Sequence, residues 1–218
     1  MFQLGPFVIQ YEMLLVLISV ALGVSFLRYF SPMQHRDDKA IREVIYNGLL
    51  TLFVTMQFGT LVMRPELLVT DPLSAIAYPS GRQELWLATI IVMVYFLYAS
   101  WRHQHALQRI FIGLLLVLIP AEMVYVTVQS TGVETLVYLS GFALILWMIF
   151  QHIQKRWTGW IGLGLWGFLQ LFAIVGFQNP FLFHVVIHWS FPVAMIGFVI
   201  VMIMVDVVKS SRKEMKGG

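Results

Sequence analysis

The chain has 218 residues, 59% of them hydrophobic and only 11% charged, with a mean hydropathy of +0.81. Soluble domains run closer to half apolar and a quarter charged, so this composition excludes one. The absence of cysteine excludes disulfides, thiolate catalysis and zinc–thiolate or iron–sulfur sites, and a net charge of +3 is no nucleic-acid footprint.

A transmembrane helix needs about 20 apolar residues. Seven stretches supply them: 6–30, 40–63, 84–101, 110–128, 133–153, 159–177 and 181–208. They are parted by polar or proline-containing breaks at Ser31-Pro32, Arg64-Pro65, Asp71-Pro72 and Asn179-Pro180. Helices are expected because lipid offers no partner for unpaired backbone groups. A transmembrane barrel would show short alternating segments, and these runs are continuously apolar. The predicted fold class is therefore all-α and polytopic: one seven-helix domain over 1–208, then a basic tail over 209–218.

Lysine and arginine set the expected orientation. Arg28, Arg36, Lys39 and Arg42 fall between the first two spans, Arg102 and Arg109 after the third, and Lys155 and Arg156 after the fifth. Lys209, Arg212, Lys213 and Lys216 form the tail. Only Arg64 and Arg82 fall on the other side, within the sizeable loop 64–83. The excess of twelve over two predicts an outside N-terminus and a cytoplasmic C-terminus, with the tail anchored on anionic lipid. The first ten residues carry no charge, so no cleavable signal peptide is expected.

Ionisable groups inside a membrane are costly and become functional candidates by default. Glu12 is expected about two turns into the first span, and Gln57 toward the outer end of the second. Glu122 follows Pro120 in the outer part of the fourth, and His184 and His188 open the seventh. All fall in the outer third, a depth that suits lipid headgroups, although polar residues at helix ends also reach interfacial water without any ligand. His184 and His188, spaced i and i+4, share a face if helical, as a metal or haem site wants. No third ligand lies at matching depth, so no metal or other cofactor is expected. His103 and His105 fall in a short basic turn and read as solvated.

No Gly-x-Ser-x-Gly, His-Glu-x-x-His or Gly-x-x-x-x-Gly-Lys occurs. The last span has no lysine for a retinal Schiff base. Trp101, Trp157, Trp160, Trp166 and Trp189 read as an aromatic belt. Gly159, Gly162, Gly164 and Gly167 read as positions of close helix approach.

The order of several short motifs resembles the bacterial prolipoprotein diacylglyceryl transferase family. Gly5-Pro6-Phe7-Val8-Ile9 is similar to the entry of that family's first span. Tyr46-x-Gly48 with Gly59, then Asp71-Pro72-Leu73, then Ser190-Phe191-Pro192 with Gly197, follow at the family's order and spacing. The resemblance implies a seven-span fold with an outside N-terminus in the bacterial cytoplasmic (plasma) membrane. It also implies transfer of a diacylglyceryl group from phosphatidylglycerol to a lipoprotein cysteine.

At the positions where the family's catalytic groups fall, this chain differs. Thr55-Met56-Gln57-Phe58-Gly59-Thr60 stands for an arginine-bearing signature, Trp86 falls near the family's histidine, and Glu12, after Tyr11, aligns with a tyrosine. A long Gly-Arg-x-Gly-Asn segment with its extracellular head is reduced to Ala121-Glu122-Met123-Val124-Tyr125, and the sixth span reads Phe168-Leu169-Gln170-Leu171. A departing phosphate needs cationic or hydrogen-bonding stabilisation, and neither Gln nor Met reproduces an arginine fork. The expectation is a non-catalytic or re-purposed member that holds phospholipid or a lipidated peptide through Tyr11, Glu12, Gln57, Trp86 and Glu122. Its partners would be membrane phospholipid and a lipoprotein or membrane protein. The alternatives are an active transferase with a rearranged site (Glu122, Gln57, His188, Arg82), a small transporter or channel, and an electron carrier using the two histidines.

Overall fold

The computed structural model describes residues 2–4, 7–9, 11–30, 32–33, 38–63, 81–103, 106–129, 132–155, 157–177, 181–183 and 185–217. Two short strands, β1 (Phe2–Leu4) and β2 (Phe7–Ile9), pair antiparallel with Gln3 opposite Val8. Among the described residues six helices follow: α1 (Tyr11–Tyr29), α2 (Asp38–Met63), α3 (Arg82–His103), α4 (Leu107–Gln129), α5 (Val133–His152) and α6 (Thr158–Phe177). A second ladder, β3 (Phe181–Leu182) with β4 (Val185–Val186), precedes α7 (Ser190–Gly217).

Among the described residues these seven helices are each long and apolar enough to cross a membrane, α7 through its segment Ser190–Val208. Their outward faces are apolar as well. α1 alone exposes Leu14, Leu17, Ile18 and Leu22, and water does not tolerate an apolar surface repeated on every helix. The chain is a multi-pass membrane protein.

Two expected spans begin later than their apolar runs suggest. The first run, 6–30, becomes a strand and then a helix from Tyr11, so Glu12 stands in the first turn of α1 rather than two turns in. The last run, 181–208, becomes a hairpin and then a helix from Ser190. Leu182 opposite Val185 leaves a two-residue connection in which Phe183 takes φ 52°, the sign such tight turns require. Its ring rests on Tyr125 at 5.7 Å. Pro192 falls where α7 has no intrahelical acceptor for an N–H, so it is tolerated there. The basic segment beyond Val208 continues α7 to Gly217 instead of forming a separate tail.

α4 is the hub. Sixty-one per cent of its spanning window is buried, against 17–39% in the other six helices, and it packs on α1, α2, α3, α5 and α6. A helix apolar on every side is one surrounded by protein, and α4 is buried almost continuously from Ile110 to Val117. Phe111 joins Phe96, Trp160 and Phe198 in one ring cluster, with centroids 5.3–6.2 Å apart.

Without a hydrophobic drive between helices in lipid, close backbone approach supplies the packing. A Cβ at Gly23 would overlap the Val117 carbonyl, and one at Gly159 the Gln108 carbonyl. Gly162 and Gly167 of α6 are likewise contact positions, as their sequence suggests: Gly162 faces Leu115, and Gly167 faces Ile196. Gly48 and Gly59 accommodate Phe96 and Glu84. Gly159→Ala is expected to destabilise the bundle by about 1–3 kcal/mol, the usual cost of overpacking. Gly176→Ala, with nothing within 4 Å, should stay within about 0.5 kcal/mol. Denaturant unfolding in micelles compares the two.

Candidate functional site

α2, α4 and α6 begin at the same end of the bundle. Asp38 of α2 meets Arg109 of α4, Gln108 lies against Gly159 of α6, and Trp160 reaches Asp206 of α7. Arg28, Lys39, Arg42, Arg102, Arg109 and Lys155 lie at helix ends that the chain order places here, hereafter the basic end. At the opposite end α2 finishes against the start of α3, where Thr60 Oγ1 donates to Glu84 Oε1 at 3.2 Å. The other Glu84 oxygen accepts the Gly81 N–H at 2.9 Å. A carboxylate in a first turn that reaches back to the preceding backbone is half of a capping box, and here it also ties two helices together.

The polar centre of that half is Glu122. It sits on the hub helix, 3% exposed, seven residues before Gln129, or about 10 Å from the helix end at 1.5 Å per residue. Trp166 Nε1 donates to its Oε2 at 3.0 Å, and Gln170 Nε2 donates to Oε1 and Oε2 at 3.3 and 3.2 Å. Trp166 and Gln170 are one turn apart, so they share a face of α6. Tyr138 of α5 lies within electrostatic reach of the same carboxylate. Both partners of Glu122 are themselves buried, at 2% and 1% exposure. The result is an internal α4–α6 clasp, not a carboxylate facing lipid. Gln170 Oε1, Ser19 Oγ and Thr135 Oγ1 are buried without a hydrogen-bond partner among the described residues.

The other expected site residues are spread along this half. Gln57 is half-buried on α2, six residues before Met63 and thus about 9 Å from its end, near the depth of Glu122. Tyr11 and Glu12 are exposed at the start of α1, where an acid is favoured by the helix dipole; Glu12 lies within electrostatic reach of Tyr125. Trp86 packs edge-on against Phe191 at 5.3 Å. Arg82 is exposed in the first turn of α3, whereas Glu122 is sequestered. The single layer expected from sequence therefore resolves into different levels.

His188 precedes α7 instead of lying within it. Its Nδ1 meets Ser190 Oγ at 3.1 Å, and its carbonyl accepts the Phe191 N–H at 2.9 Å. With β4 and non-helical residues before it, His188 stands outside the helix on which the sequence placed it. His184 itself, His105, Arg64 and Asp71-Pro72-Leu73 lie outside the described residues. Among the described residues no group of three His, Cys, Asp or Glu is placed to hold a metal.

The aromatic belt needs correction too. Trp101, Trp157 and Trp189 are exposed, but Trp160 and Trp166 are buried donors to carboxylates. Sequence reasoning treated Gln170 only as a replacement. The available signal was a glutamine one turn after a tryptophan, in a span with no other strongly polar side chain, plus a carboxyl deep in another span.

No protein-family model, curated protein or solved structure matches the chain.

Removing one donor from Glu122 leaves the other in place, so the coupling is measurable. A cycle of Trp166→Phe and Glu122→Gln is expected to return a coupling energy of about 0.6–1.7 kcal/mol, the range for interhelical hydrogen bonds in membranes. Unfolding midpoints of the four proteins supply it.

Proposed function

We propose that this protein is a lipid-handling scaffold of the bacterial cytoplasmic membrane. It is built on a plan like that of the prolipoprotein diacylglyceryl transferases but lacks transferase chemistry of its own. Its N-terminus is outside and its C-terminus cytoplasmic. It takes a phospholipid, phosphatidylglycerol foremost, or a lipidated peptide from the outer leaflet and assists a lipoprotein or membrane-protein partner.

The observation that carries this reading is the engagement of Glu122. Transfer from a phospholipid needs donors or cations aimed at a departing phosphate. Here the indole of Trp166 and the amide of Gln170 are directed at a carboxylate of the protein itself, and Gln57 and Met56 stand where the resemblance implies an arginine-bearing signature. Support for the orientation comes from the gathering of basic residues at one end of the bundle.

Membranes from a strain lacking the standard transferase, given radiolabelled phosphatidylglycerol and a lipobox peptide, should yield no labelled peptide beyond background. Lipid mass spectrometry of the purified protein should find bound phospholipid. Labelling that Glu122→Ala abolishes would overturn the non-catalytic reading, and protein purified free of phospholipid would overturn lipid handling altogether.

Because the chain has no cysteine, single-cysteine variants report orientation directly. Val133→Cys, at an exposed helix start, should react with an impermeant maleimide in intact cells, and Lys216→Cys only after lysis. The reverse pattern would invert the topology.

A further inference from the structure

A cleft of about 460 Å³ opens at the basic end, between the last turn of α1 and the first turns of α2. Arg28, Tyr29, Lys39, Arg42, Glu43 and Tyr46 line it. Its volume lies within the range of small-ligand sites. Three cations against one carboxylate give it a net positive wall. Asp38, the acid at the start of the same helix, does not cancel that charge, because it faces Arg109 with Oδ1 4.0 Å from Nη1.

Two of the cations have fixed partners. Arg42 is half-buried, and its Nη1 donates to the Met33 carbonyl at 2.8 Å. One of its five N–H groups is thereby used to fix the fork. The Arg28 guanidinium stands over the Tyr29 ring, 5.5 Å from the centroid, a placement that favours a cation. Tyr46 is half-buried one turn further into the membrane than Arg42. The wall thus sets guanidinium and ammonium groups beside the phenols of Tyr29 and Tyr46.

We infer that this cleft binds the phosphate of an anionic phospholipid headgroup in the leaflet at the basic end, with Arg28, Lys39 and Arg42 contacting the phosphate and Tyr46 the glycerol region. Arginine forks match phosphate oxygens in pairs, and basic pockets between membrane helices attract such headgroups. A free phosphate offers the same oxygens. The lipid is the occupant assigned because the cleft lies between the ends of two helices long and apolar enough to cross a membrane, where a span meets the headgroup layer. This site is at the other end of the bundle from Glu122 and stands or falls independently of the function proposed above.

The test uses the full chain in bilayers of equal phosphatidylcholine and phosphatidylglycerol, extracted in mild detergent, with retained lipid counted by native mass spectrometry. The wild type should retain the anionic lipid preferentially. Arg28→Gln with Lys39→Gln keeps the Arg42–Met33 bond and should lower that preference at least tenfold, with an unchanged unfolding midpoint. A charge-neutralised tail (Lys209, Lys213 and Lys216 each to Gln) should keep it. Equal loss in the tail variant would overturn the cleft as the site. Stabilisation by millimolar inorganic phosphate in pure phosphatidylcholine, without any lipid preference, would overturn the lipid as its occupant.

Discussion

The carboxylate of Glu122 constrains the whole bundle. An ionisable side chain buried on the most enclosed helix must find hydrogen-bond partners within the protein. Trp166 and Gln170 meet that demand from one face of α6. Their geometry fixes both the rotation of α6 about its axis and its height against α4. The glycine contacts at Gly159 and Gly162 then bring the same two backbones close. Polar bonding and small-residue packing thus specify one register from two independent directions.

α6 repeats the device toward a second neighbour. Trp160 donates to Asp206 of α7 at 3.0 Å, so one helix holds two tryptophans whose indoles each bind an acid on a different partner. Glu84 and Thr60 do the corresponding work between α2 and α3. In water, ties of this kind would be modest additions to a hydrophobic core. In lipid, where apolar surface gains little by leaving the solvent, they help choose which helices become neighbours.

Sequence length and hydropathy predict the seven crossings well, because the thickness of a bilayer is a demanding ruler. Helix starts are less legible. Phe181-Leu182 and Val185-Val186 are as apolar as the helix that follows, and a short apolar run cannot be told from a helix by periodicity; the strand there displaces His188 from the expected helical face. The region of the site was readable in part. Glu122 stands out as a carboxyl deep in a span, but its partners lie 44 and 48 residues away, beyond the reach of local spacing. Trp166 looked interfacial because tryptophan favours interfaces, and only the fold shows that its N–H is directed inward.

The separation between Glu122 and its donors has a consequence for how the protein is made. Ribosomes deliver α4 well before α6, so the central helix enters the bilayer with an acid that its eventual partners have not yet arrived to receive. Insertion scales set the upper bound of such a penalty at about 3 kcal/mol, the cost of a charge at the helix centre, and the run from Ile110 to Ile119 is long and apolar enough to offset it. The apolar stretch of the hub helix thus serves its delivery into the bilayer as well as its packing.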